Sequence, residues 1–194
     1  MKKAPCTILS ILAIALVLGT TSAVAQNVYF TTFFSNNVSS APDATLRLIN
    51  DGETGGNLWA SIYVFDDSEE LTECCSCLVT PDGLLSESVR NQLTANPLTG
   101  TIPTRGVIKV ISSATNTSAF APNVPTPGLQ GWATHIQSVS NKNPFGPSPY
   151  SQTETELADS NLTTGEQSTL ELLCLFDHKL SGKPCSCTPE DFDF

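Results

Sequence analysis

Six of the seven cysteines fall into two groups, Cys74, Cys75 and Cys77 in mid-chain and Cys174, Cys185 and Cys187 near the end, and this spacing restricts the fold more than any other feature. Bridges between near neighbours, such as Cys74 with Cys75 or Cys185 with Cys187, require Cα placements that disulfide geometry disfavours. Three disulfides running between the groups are therefore expected, and each ties the middle of the chain to its end.

The seventh cysteine, Cys6, lies in a segment that reads as an address. Lys2 and Lys3 precede an apolar run from Ile8 to Leu18, and Ala23-Val24-Ala25 supplies a small-residue cleavage pattern. Residues 1–25 are read as a secretory signal peptide, and residues 26–194 as one mature domain. No later run approaches the ~18 apolar residues of a membrane span, so no transmembrane segment is expected after processing. Export to a secreted, periplasmic or cell-surface location favours disulfides over the rival reading, a thiolate metal site with CCxC and CxC spacing.

Charge narrows the partners. The chain carries 9 Lys+Arg against 19 Asp+Glu, a net of −10. Loss of Lys2 and Lys3 with the leader takes the mature net to −12. Nucleic acid is excluded, because such a surface cannot replace the counterions of a phosphate backbone. A basic partner or a divalent cation is compatible with it. Only 14% of residues are charged while 40% are hydrophobic, which argues against disorder and coiled coils.

Short β segments separated by turn residues organise the mature chain. Strands are expected at residues 27–34, at 44–49 (Ala44, Leu46 and Leu48 on one face), at 58–65 with both faces buried, at 88–93, at 106–112 and at 131–138. Turns fall at Asn50-Asp51-Gly52, Gly55-Gly56-Asn57 and Pro81-Asp82-Gly83. The prolines between 122 and 149 make 121–128 and 143–150 extended loops. One helix is expected over about 164–181, started by a capping box of Thr163 and Glu166. Its inward face comprises Leu170, Leu173, Cys174 and Leu180. The fold class is mainly β: an antiparallel β-sandwich with one C-terminal α-helix, stapled by disulfides, and a Cys-containing tail.

Chemistry-bearing residues are sparse. Asp66, Asp67, Glu69, Glu70 and Glu73 could offer oxygens to Ca²⁺, but their order differs from that of the helix-loop-helix calcium loop, and a solvated acidic loop is the preferred reading; no cofactor is assigned. His135 and His178 are the only histidines, so a multi-histidine metal site is excluded. His135 is read as an edge or surface residue and His178 as solvent-facing. No catalytic residues are assigned; an extracytoplasmic hydrolase around His135 or the acidic loop is one alternative. Trp59, Tyr63 and Phe65 lie on one face of a strand. They are read as a core layer, with a carbohydrate-binding platform as the other alternative. The aromatic segment Val28 to Phe34 is read as an intramolecular edge strand that could also add to a neighbour's sheet.

The stretches Leu48-Ile-Asn-Asp-Gly, Ile62-Tyr-Val-Phe-Asp, Glu70 to Leu84 and Gly131-Trp-Ala-Thr-His-Ile-Gln resemble an uncharacterised family of small exported Cys-containing bacterial proteins. The resemblance implies export and a shared scaffold, and no activity. The expected function is an exported structural or interaction protein, non-catalytic, whose partner is a second copy, a cell-surface component or a polysaccharide.

Overall fold

The computed structural model describes residues 27–36, 38, 41–93, 102–115, 124–139, 149–181 and 187. The segment read as a signal peptide and Cys185 lie outside this set. The elements are β1 (Tyr29–Ser35), β2 (Thr45–Asn50), β3 (Leu58–Asp66), β4 (Leu71–Val79), β5 (Leu84–Ser88), β6 (Arg105–Ser113), β7 (Leu129–Ser138), β8 (Tyr150–Glu156), β9 (Ala158–Asp159) and α1 (Thr164–Ser181). They form two antiparallel sheets, one ordered β4-β3-β6-β1-β9 and the other β5-β2-β7-β8.

Alternation builds the core between the sheets. Ala44, Leu46 and Leu48 point inward from the β2 segment, while Leu58, Ala60, Ile62 and Val64 meet them from β3. Strand β3 lies between β4 and β6, and both its faces are largely buried, as its sequence predicts. Phe30 and Phe34 of β1, Ile108 and Val110 of β6, and Leu129 and Ile136 of β7 complete this core. Where β1 ends, the sheets meet: Asn36 bridges to Ile136, and the Ser35 hydroxyl donates to the Ile136 carbonyl at 2.9 Å.

Between β4 and β5, Asp82 adopts a φ of 57° and the Gly83 amide donates back to Thr80, which carries the chain from one sheet to the other. Strand β5 then occupies Leu84–Ser88 and not the expected 88–93. The strand stops at Ser88 because the Asp43 carboxylate accepts from the Ser88 hydroxyl and the Arg90 amide, turning the chain there. Val89 and Leu93 are buried from that turn.

Helix α1 spans the predicted residues and lies on the outer face of the five-stranded sheet, where Leu170 and Cys174 pack against Tyr63, Leu71 and Cys74. Its first turn is capped by the Thr163 hydroxyl, which accepts from the Glu166 amide at 3.1 Å. The inward face differs from expectation. Leu170, Cys174 and Asp177 are buried, whereas Leu173 is 37% and Leu180 68% exposed. The Cys74–Cys174 bond, with Cα atoms 5.7 Å apart, pins Cys174 to the sheet and thereby fixes the roll of the helix.

Candidate functional site

Adjacent cysteines serve opposite faces of β4. Cys74 projects outward to bond Cys174 of α1, whereas Cys77 projects into the core between the sheets to bond Cys187. Cys75 shares the inner face with Cys77, their sulfurs 3.9 Å apart, and is also disulfide-bonded. The sulfurs of Cys75, Cys77 and Cys187 all lie within 4.8 Å of one another, the grouping that a metal reading requires, and all three are engaged in bridges. The bridges thus hold the C-terminal segment to both sides of a terminal strand.

Covalent placement of α1 decides which part of the outer sheet face stays open. Register aligns three rows of outward side chains across the strands. Tyr29 and Ile111 in one row, and Tyr63 and Cys74 in the next, are buried beneath α1. The third row, Phe33 of β1, Val107 of β6 and Phe65 of β3, extends past the helix: Phe33 is 48% and Val107 38% exposed, and Phe65 is half-buried. Neighbouring strands lie about 4.8 Å apart, so the Phe33 and Phe65 backbones stand about 10 Å apart, with Val107 between them.

Two adjoining hollows follow this row. One, of about 600 Å³, is lined by Phe33, Ser35, Arg105, Gln137 and Ser138 together with the acidic turn; the other, of about 300 Å³, is lined by Phe65 and Lys109. They share Asp66, Glu69 and Val107. Phe33 is braced from behind, because its ring stacks on that of His135 with centroids 3.9 Å apart and planes 13° from parallel. His135 is fully buried, correcting its expected surface position; its Nε2 lies 2.7 Å from the Thr155 hydroxyl, and burial pushes its pKa below the usual 6.5.

The charges around the row are organised. The Asp66 carboxylate accepts from the Ser68 and Glu70 amides and shapes the β3–β4 turn, in which Glu69 takes a φ of 67°. Arg105 pairs with Asp67 at 2.6 Å. Lys109 stands 5.2 Å from the Phe65 ring centroid and donates to Glu166 at 2.6 Å, and Tyr29 donates to the same carboxylate at 2.9 Å. The Lys109 bond holds Glu166 below the ordinary carboxylate range.

The sequence-predicted site residues are dispersed by this architecture. Trp59, Tyr63 and Phe65 share the outward face of β3, yet Tyr63 is sealed beneath α1, so the three make no continuous open platform. Asp67, Glu69 and Glu70 are exposed on a tight turn shaped by half-buried Asp66, while Glu73 is buried in β4. His178 is half-buried on α1, away from the solvent-facing position expected. Arg105 and Lys109 were not singled out in the sequence, and Phe33 and Val107 were read only as members of strands; the register of β1, β3 and β6 assembles all four around Phe65.

Comparison with protein-family models, curated proteins and solved structures finds no match to this chain. The class of molecule therefore follows from the fold: two antiparallel sheets with a disulfide-held C-terminal helix. Among the described residues no helix is long and apolar enough to cross a membrane.

Proposed function

We propose that the chain is an exported recognition protein, which engages a cell-surface or extracellular component through the uncovered row Phe33–Val107–Phe65. The observation that carries this reading is the partial cover of the outer sheet face: α1 is fixed by Cys74–Cys174 over two rows and leaves the third, with both hollows, accessible. A half-exposed aromatic backed by a stacked ring is a rigid contact that loses little entropy on binding. Disulfides on both faces of β4 suit a protein that works in an oxidising compartment.

Strand β1 is part of the scaffold that presents this row. It pairs with β6 along its whole length and with β9 at Phe30 and Thr31. Expression of the full chain in a secreting host, followed by fractionation, tests the proposal. The native sequence should be retained with the cell envelope, and a variant carrying Phe33→Ser, Val107→Ser and Phe65→Ser should pass into the medium as a protein that still unfolds in one cooperative transition, at a lower temperature because the His135 stack and the Phe65 packing are lost. Equal release of both proteins would refute it.

A further inference from the structure

We propose that the ligand of the Phe33–Val107–Phe65 row is a neutral glycan, an inference that rests on the recognition reading above. The row offers two aromatic side chains and a valine on three neighbouring strands, with the Phe33 and Phe65 backbones about 10 Å apart, which suits the C–H faces of successive sugar rings. Two adjoining hollows, about 600 and 300 Å³, meet at Val107 and make the site longer than a single ring requires. An elongated polymer therefore fits it better than a compact metabolite.

The rim decides the charge of the ligand. Asp66, Asp67 and Glu69 face Arg105 and Lys109 around the hollows. Arg105 is paired with Asp67, and Lys109 with Glu166. With both cations already neutralised, a polyanion gains no free counter-charge. Beyond those two pairs, Asp66 and Glu69 leave the rim net negative, which repels a polyanion further and supplies carboxylate acceptors to hydroxyl groups; a basic peptide is the competing occupant that the oligolysine titration tests. What remains is hydrogen bonding: carboxylate acceptors at Asp66 and Glu69, donors at Lys109 and Arg105, and both kinds at Gln137 and Ser138. Hydroxyl groups, which donate and accept at every ring position, match that mixture.

The full chain labelled with ¹⁵N is titrated with neutral oligosaccharides of the glucan and mannan types, with a uronic-acid oligosaccharide and with an oligolysine peptide. A neutral oligosaccharide is expected to shift the amides of Phe33, Phe65 to Glu69 and Arg105 to Lys109. Glu69→Ala, at an exposed turn side chain, and Phe65→Leu, which keeps an apolar side chain, should each weaken binding about tenfold. Absence of shifts with every neutral oligosaccharide overturns the glycan assignment. If oligolysine or the uronic acid alone shifts those amides, the row is a recognition surface for a charged partner and only the ligand class falls. Shifts confined to another face overturn both readings.

Discussion

The ring of Phe33 on one sheet lies face to face with that of His135 on the other, centroids 3.9 Å apart, at the seam where β1 meets β7. The pair couples the buried side of β7 to the recognition surface through ring stacking.

This coupling carries a pH dependence. Folding lowers the His135 pKa from its ordinary 6.5, so as pH falls the unfolded chain takes up the proton first. The stability contributed by neutral His135 is complete above that value and declines as pH drops through it toward the folded pKa. His135→Asn should flatten the urea midpoint between about pH 8 and pH 5, where the native protein loses stability. Glu166 has the same sign at lower pH: its depressed pKa gives stability that is present above the ordinary 4.5 and lost below it.

Removing both members of one bridge probes the clamp on β4. The Cys74–Cys174 and Cys77–Cys187 bonds span 100 and 110 residues, and loops of that length are worth on the order of 4 to 5 kcal/mol in the chain-entropy account. With Cys77–Cys187 left in place the bridge closes only a short further ring, so Cys74→Ala with Cys174→Ala should lower the free energy of unfolding by about 3 kcal/mol and expose α1 to limited proteolysis. Denaturant titration and peptide mapping measure the two effects.

Gly106 is fixed by the backbone beside it. A Cβ there would stand 1.9 Å from the Phe65 carbonyl oxygen and under 3 Å from the Phe34 ring. Gly106→Ala should cost at least about 3 kcal/mol, at the severe end of overpacking, because the obstructing atom is main chain. Gly55→Ala is the control. Nothing lies within 4 Å of a Cβ there, and only its φ of 65° opposes the change, at about 1 kcal/mol.

The Glu166 carboxylate receives both Lys109 and Tyr29, and so joins the first turn of α1 to β6 and β1. Glu166→Gln should cost about 1 kcal/mol, a modest sum because both partners of the ion pair are partly exposed. Faster amide exchange in residues 164–168 would locate the loss.

Residues whose surroundings repeat with the pleat or the helix turn were legible in sequence. Leu46 and Leu48 alternate cleanly, and Thr163 with Glu166 marks the helix start. Strand β8 was not, because all seven residues of Tyr-Ser-Gln-Thr-Glu-Thr-Glu are exposed and pairing with β7 alone makes them extended. Strand β4 was concealed by cysteines on both of its faces and by the buried acid Glu73. The common face of Trp59, Tyr63 and Phe65 was readable from alternation. Which of the three α1 would cover depends on a bond across 100 residues, beyond any local pattern.

The Cys77–Cys187 bond closes a covalent ring that contains α1 and every strand after β4. Tension between the two ends of the chain would travel from Cys187 directly to Cys77 and then through β4, β3, β2 and β1. The enclosed elements carry no load along that path. Under shear, only the leading strands can be drawn out, and the extension stops where sulfur takes the strain.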